Sequence, residues 1–203
     1  MIKNKCLVFS LAALIVLLGV SATFAQNETK STNTQTATRK NTSTARMISD
    51  TEFAKMAARG GLAEVKFGQL AEDKGSAQTV KDFGKRMVAD HSKADDDLKT
   101  IATEDKISLP TELSAKDQAA YDRLSKLSGE AFDRAYARDM VRDHSADVAE
   151  FRLESKDGKD ASIKDFAAQK LPTLEDHLKQ AREMLRSTAA TNSNLIKKSG
   201  HNS

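Results

Sequence analysis

An internal repeat constrains the fold of this chain more than any other feature of its sequence. Two stretches match without a gap at an offset of 83 residues, starting at positions 53 and 136. The matched segments are Phe53-Ala54-Lys55 with Tyr136-Ala137-Arg138, Ala63-Glu64-Val65 with Ala146-Asp147-Val148, and Val80-Lys81-Asp82-Phe83 with Ile163-Lys164-Asp165-Phe166. Each copy has a helical apolar pattern on both sides of a glycine, Gly75 or Gly158, so we interpret the repeat as one helical hairpin that occurs twice. The alternative is chance similarity between helices that are rich in Ala and Lys.

Apolar residues recur at helical spacing through most of the chain after position 48. The pattern predicts four long helices and one short helix, at 49–75, 76–104, 115–127, 130–157 and 161–186. Ser49 and Glu52 form a capping box at the first helix start, and Pro172 should kink or split the last helix. No segment alternates apolar and polar residues with the period of a strand, so the predicted fold class is all-α.

The segment between the two hairpins indicates how they are joined. Two hairpins must pack their apolar faces together, and the result is a four-helix bundle. The second helix should be about 40 Å long at about 1.5 Å per residue, and residues 105–129 can return along that length. The sequence therefore predicts a ferritin-like four-helix bundle of two helical hairpins, joined by a long crossover with a short extra helix.

The start of the chain has the pattern of a secretory signal. Lys3 and Lys5 precede an apolar stretch, and Thr23-Phe24-Ala25 ends that stretch with the small residues of a cleavage site. The apolar stretch is shorter than the roughly 18 residues that a membrane span needs, so no membrane span is expected after signal cleavage. The protein should therefore be exported.

Composition divides the rest of the chain. The segment before the first helix is rich in Thr, Asn and Ser and has no apolar period, so it should not fold, and the last residues, which include His201, are similar. The predicted organisation is a signal peptide at 1–25, a flexible tether at 26–48, the helical domain at 49–187 and a disordered tail at 188–203.

Cysteine content and charge exclude several classes of function. Cys6 is the single cysteine and should leave with the signal, so disulfides, thiol catalysis and thiolate metal sites are excluded. Loss of Lys3 and Lys5 reduces the 32 Lys and Arg residues to 30, against 29 Asp and Glu, so the net charge becomes about +1. Because both signs alternate along every helix, no nucleic-acid partner is expected. A homo-oligomer or an envelope protein partner stays open.

Four polar residues interrupt the apolar faces of the four long helices. They are Glu64, His91, His144 and His177, one on each helix and each near its midpoint. Helix midpoints meet at one level in an antiparallel bundle, and burial of these groups is costly unless they pair with each other or with a metal. A single transition metal, zinc, iron or copper, would suit this ligand set. In the other interpretation the four groups form hydrogen bonds with each other and fix the helix register.

Neighbouring residues add weaker candidates. Asp147 could supply a second carboxylate, and the thioethers of Met87 and Met140 precede two of the histidines by one helical turn. The Glu-x-x-His pairs of a di-iron site are missing, so one metal is predicted rather than two. Asp90 and Asp143, each next to a histidine, should belong to the solvated face.

Several motifs resemble those of an exported bacterial family called domain of unknown function 4142. They are Leu62-Ala63-Glu64-Val65, Met87-Val88-Ala89-Asp90-His91-Ser92, Ser128-Gly129-Glu130-Ala131-Phe132-Asp133, Asp143-His144 and Leu171-Pro172-Thr173-Leu174-Glu175-Asp176-His177. The resemblance implies a ferritin-like helical bundle in the periplasm or outer envelope, and it implies no particular activity. Two functions therefore stay open. The first is metal binding with a redox or metal-handling role, and the second is a non-catalytic envelope or stress-response bundle.

Overall fold

The computed structural model describes the backbone of residues 48–199 and the side chains of residues 48–189, and α-helix is the only regular secondary structure in this part of the chain. Its helices are α1 (Asp50–Lys74), α2 (Gln78–Glu104), α3 (Ala115–Ser125), α4 (Gly129–Asp157) and α5 (Ala161–Ser199). No strand occurs among these residues, which confirms the all-α prediction. The predicted signal peptide, almost all of the tether, and His201 lie outside the described residues. None of the five helices is sufficiently long and apolar to cross a membrane.

The last helix differs from its prediction in two ways. It is continuous through Pro172, so the proline does not split it. It also passes the predicted boundary between the domain and the tail at residue 187, and its backbone is helical as far as residue 199. Thr188, the first residue of that tail, is buried. Addition of residues such as Ala189 to an existing helix avoids the cost of nucleation, and this explains why a segment without an apolar pattern stays helical.

The two predicted hairpins are present, and their turns match. α1 packs along α2, and α4 packs along α5. Gly75 and Gly158 end the first helix of each hairpin with similar backbone angles (φ −57° and ψ 135°, φ −53° and ψ 148°), and each N–H donates to the carbonyl four residues earlier. A β-carbon at Gly75 would lie 2.6 Å from that carbonyl oxygen, on Ala71, so the turn requires glycine.

Each hairpin also caps the other. Asp50, at the start of α1, accepts hydrogen bonds from the backbone N–H groups of Lys159 and Asp160 at the start of α5. Asp133 is the residue equivalent to Asp50 in the repeat, and it accepts from the N–H groups of Ser76 and Ala77 before α2. The carboxylates satisfy amides that have no partner within their own helices. Equivalent residues therefore hold the two hairpins together at both ends.

Two apolar clusters, rather than one continuous core, fill the space between the helices. The ten residues expected in the core are all buried: Phe53, Phe67, Phe83, Met87, Leu98, Phe132, Met140, Phe151, Phe166 and Leu174. The first cluster contains Phe67, Phe83 and Met140, together with Leu124 from α3. The second contains Phe53 and Phe166. Each long helix has one buried polar residue, Glu64, His91, His144 or His177, near the place where it passes from one cluster to the other, and these four residues form a polar layer in the core.

Glycines set the closest helix contact. A β-carbon on Gly68 of α1 would lie 2.6 Å from the carbonyl oxygen of Gly84 on α2, and one on Gly84 would lie 2.7 Å from that of Gly68. Gly61 has the carboxylate of Asp95 against it, whereas a β-carbon on Gly60 would meet no atom within 4 Å. The two helices therefore touch backbone to backbone at Gly68 and Gly84, and packing does not require a glycine at position 60.

We expect alanine substitutions at Gly84 and Gly60 to change stability in opposite directions. Gly84→Ala should lower the free energy of unfolding by about 1–3 kcal/mol, because the new methyl group forces the helices apart. Gly60→Ala should raise it by about 0.5–1 kcal/mol, because alanine favours the helix and meets no neighbour. Urea unfolding of both variants measures the two changes. Equal effects would contradict the assignment of the helix contact to Gly84.

Candidate metal centre

Three histidines from three helices meet in the polar layer. His91 of α2, His144 of α4 and His177 of α5 each offer a ring nitrogen, and these nitrogens all lie within 4.8 Å of one another. Their ring centroids are 5.3–5.7 Å apart. All three side chains are buried, and His144 is fully inaccessible to solvent. The helix-midpoint argument therefore placed these three residues correctly.

Hydrogen bonds decide which nitrogen of two rings carries the proton. The Nδ1 of His144 lies 3.0 Å from the carbonyl oxygen of Met140, and the Nε2 of His177 lies 2.8 Å from the Oδ2 of Asp90. Both oxygens only accept, so Nδ1 of His144 and Nε2 of His177 donate a proton. The lone pairs are then on Nε2 of His144 and Nδ1 of His177.

These lone pairs have no hydrogen-bond partner among the described residues. The nitrogens without a partner are Nε2 of His91, Nε2 of His144 and Nδ1 of His177. Nε2 of His144 and Nδ1 of His177 can only accept, because the proton of each ring is on its other nitrogen. The three rings therefore cannot provide hydrogen-bond partners for all three of these nitrogens. Buried polar atoms normally find partners, so three convergent unpaired nitrogens call for an additional group that accepts lone pairs.

The protein keeps all three imidazoles neutral. Burial lowers the pKa of His144 to about 3, and it lowers the pKa of His91 well below 6.5, with further contributions from His144 and His177. Burial also lowers the pKa of His177, although the hydrogen bond from its ring to Asp90 opposes that effect. A metal ligand must be the neutral ring, so no proton has to be displaced at neutral pH.

Asp90 belongs to this site, which corrects the expectation that it lies only on the solvated face. Its carboxylate accepts from His177 and also from Arg86, at 3.1 Å, and Arg86 reaches Asp176 at 2.6 Å. The segment Met-Val-x-Asp-His-Ser occurs twice, at 87–92 and 140–145, and Asp143 of the second copy pairs instead with Arg142 at the surface. A carboxylate that holds the far nitrogen of a histidine fixes the ring orientation, as is common behind metal ligands.

Glu64 is near the histidines but outside the group of three. Its Oε1 lies 3.7 Å from Nδ1 of His144, on the opposite edge of the ring from the free Nε2. Burial, with the charge of Asp147, raises the pKa of Glu64 well above its ordinary 4.5, so the neutral acid is favoured. Its Oε2 has no partner among the described residues. The structure therefore brings together three of the four residues of the predicted ligand set.

The weaker candidates take other positions. Met87 and Met140 lie fully buried in the first apolar cluster, and Met140 supports the site through its backbone carbonyl. Asp147 is partly buried, and burial raises its pKa to about 7. It lines a cavity beside the histidines and is not one of the three convergent ligands.

The two sides of the histidine layer differ. On one side the ring of Phe83 lies 6.2 Å from the ring of His144 and 6.3 Å from that of His177. On the other side a cavity of about 310 Å³ is lined by His91, His177 and Gly60, among other residues. The Phe83 side of the site is therefore apolar, whereas a cavity bounded by residues of all four long helices adjoins His91 and His177.

Comparisons with known proteins identify a family and a fold. A family model described as "Domain of unknown function (DUF4142)" matches residues 32–184. No curated protein matches the chain significantly in sequence. The crystal structure of a DUF305 fragment from Deinococcus radiodurans is similar at a TM-score of 0.61 and 15% identity, over 68% of this chain and 95% of the fragment. CopM in the Cu(I)-bound form is similar at a TM-score of 0.58 and 15% identity, over 69% of this chain and 97% of CopM. Both similarities concern the helical fold.

Proposed function

The chain belongs to the DUF4142 family, and we propose that it is an exported copper-handling protein that binds one Cu(I) ion. The ligands are Nε2 of His91, Nε2 of His144 and Nδ1 of His177. One observation carries this proposal: three buried imidazoles from three helices offer ring nitrogens within 4.8 Å of one another, and each ring has a buried nitrogen without a hydrogen-bond partner among the described residues. The ion would supply the acceptor that these nitrogens lack.

Charge favours Cu(I) over zinc or iron at this point. Imidazole binds zinc, copper and iron, so the type of donor does not select the metal. Three neutral ligands leave the whole charge of the ion in an apolar core, and a single positive charge is less costly to bury than a double one. A structural neighbour in a Cu(I)-bound form is consistent with this choice at the level of the fold.

The residues around the ligands have separate tasks in this proposal. Asp90, held by Arg86, orients the ring of His177, and the carbonyl of Met140 orients that of His144. Phe83 excludes water from one side. Glu64 stays a neutral neighbour behind His144 rather than a ligand. Because no Glu-x-x-His pair is present, the function is binding and transfer of copper rather than ferroxidase chemistry.

The setting of this function is also part of the proposal. The two hairpins and the intervening α3 support a ferritin-like bundle, and the signal pattern of residues 1–25 supports export to the periplasm or outer envelope. A site without thiolates suits a compartment in which cysteines are oxidised.

Titration with Cu(I) under reducing, oxygen-free conditions tests the proposal. A colorimetric chelator competes with the protein, and the wild type should take one Cu(I) per chain. His144→Leu should abolish binding, because two ligands remain. Asp90→Asn should weaken binding by about 10- to 100-fold, as expected for a residue that orients a ligand.

His201→Leu is the matched control, because it makes the same substitution in the fourth histidine of the chain. It should bind Cu(I) like the wild type. If the wild type takes up neither Cu(I) nor zinc nor iron near one per chain, the proposal is wrong. The alternative, a non-catalytic envelope or stress-response bundle that binds a partner or oligomerises, would then take its place.

A further inference from the structure

α1 is the one long helix that contributes no histidine to the group of three, and the internal repeat shows which residue of α1 takes that position. α2, α4 and α5 each contribute one histidine. In the repeat, position 61 corresponds to position 144, so Gly61 of α1 stands where α4 has His144. The next candidate on α1, Glu64, lies behind the ring of His144. Among the described residues, α1 therefore adds no ligand to the three histidines.

A cavity lies beside two of the histidines. It measures about 310 Å³ and is lined by Gly60, Gly61, His91 and His177. A water molecule takes about 30 Å³ of liquid, so the space admits on the order of ten waters or one small organic molecule. Small-molecule sites in proteins begin at about this size.

Gly60 keeps this cavity large. It lies in the middle of α1, where glycine costs roughly 1 kcal/mol relative to alanine, and no neighbouring atom lies within 4 Å of the place of its missing β-carbon. Helix packing therefore gives no reason for glycine at this position. A larger side chain there would take up open space where Gly60 borders this cavity and a second one beside Glu64.

We infer that the cavity admits a small, neutral donor molecule that completes the coordination of the bound ion. This inference rests on the proposed function, because it requires the ion. On this inference the site exchanges copper with a small-molecule carrier. The incoming donor can contact the ion before the histidines release the ion.

Charges on the cavity wall favour a neutral donor over an anion. The carboxylates of Asp90 and Asp147 line the cavity. The amino group of Lys170 also lines it but pairs with Asp97 at 2.5 Å, and Lys93 is exposed, where water screens its charge. Asp90 already pairs with Arg86, and burial raises the pKa of Asp147 to about 7, so among the lining residues neither a free buried cation nor a strong negative charge selects an ion, and a neutral donor fits best.

Carbon monoxide is a suitable probe, because it is small, neutral and binds Cu(I) at an open position. The Cu(I)-loaded wild type should show the infrared band of a copper carbonyl, and Gly60→Ala should show it too, because a methyl group leaves most of the cavity free. Gly60→Leu should bind carbon monoxide at least ten-fold more weakly while it still takes one Cu(I). Ala94→Leu, on the opposite wall, should have the same effect and tests the inference if Gly60→Leu does not fold.

The outcomes separate this inference from the proposed function. A wild type that holds one Cu(I) but shows no carbonyl band overturns the open coordination position and leaves copper binding intact. Carbon monoxide affinity that is unchanged in both Gly60→Leu and Ala94→Leu also overturns it. Failure of the wild type to load Cu(I) at all contradicts the proposed function, and the inference with it.

Discussion

Cu(I) should raise the melting temperature of the copper-free protein by roughly 5–11 °C when it is supplied at 100 times its dissociation constant. A ligand at that ratio stabilises the folded state by about 2.7 kcal/mol. In a domain of this size, each kcal/mol raises the melting temperature by roughly 2–4 °C. Thermal unfolding followed by circular dichroism under oxygen-free conditions measures the shift, and His201→Leu should show the same shift.

His144→Leu should lose this shift. The melting temperature of the copper-free variant should also show how much the buried, unpaired histidine destabilises the copper-free wild type. Without copper, the variant should melt at the same temperature as the wild type or higher, because leucine removes a buried ring nitrogen that has no partner. A clear loss of stability in the copper-free variant, together with no copper effect on the wild type, would contradict the metal centre. It would favour histidines that stabilise the helix register.

Replacement of Phe83 or Phe166 by alanine should each lower the free energy of unfolding by about 3–5 kcal/mol. Both rings are buried, Phe83 in the first apolar cluster and Phe166 in the second, and their removal leaves cavities. Only Phe83 also contacts two of the histidine rings. Phe83→Ala should therefore weaken Cu(I) binding as well, whereas Phe166→Ala should not.

Urea unfolding and the chelator titration separate the two effects in this pair. Phe83→Leu serves if Phe83→Ala is too unstable to purify, because it keeps most of the apolar volume and removes the flat ring. If neither alanine variant shifts the thermal midpoint by more than about a degree, the packing of the two clusters is wrong. If both weaken copper binding equally, the effect comes from global destabilisation and not from the ring of Phe83.

Some features of the site had a sequence signal that pointed in the wrong direction. Asp90 and Asp143 occur in identical motifs, so they were expected to behave alike, yet only Asp90 holds a histidine, and that histidine is on another helix. The glycines of α1 also differ in their surroundings: Gly68 lies against the backbone of Gly84 and Gly61 against the carboxylate of Asp95, whereas Gly60 borders the cavity. Spacing along one helix cannot distinguish these cases, because it contains no information about the facing helix.

The sequence also contained signals for the two capping aspartates and for the length of α5. The repeat relates Asp50 to Asp133, and the structure shows that each carboxylate caps a helix of the other hairpin. Two aspartates at equivalent positions near helix starts were a recognisable pattern of acceptors for free N–H groups. The extension of α5 to Ser199 had a weaker signal, since alanines at 189 and 190 favour a helix without any apolar face.

The sequence by itself determined the helices, the two hairpins and the depth at which Glu64 and the histidines lie. These properties depend on spacing within a helix of about 3.6 residues per turn, and that spacing is local. Only the tertiary structure decided that His91, His144 and His177 converge while Glu64 lies behind a ring, and which nitrogens are free. The reason is physical: the rotation of each helix about its axis is set by contacts between helices, such as Gly68 against Gly84, and the proton on the ring of His177 is set by Asp90, a partner distant in sequence.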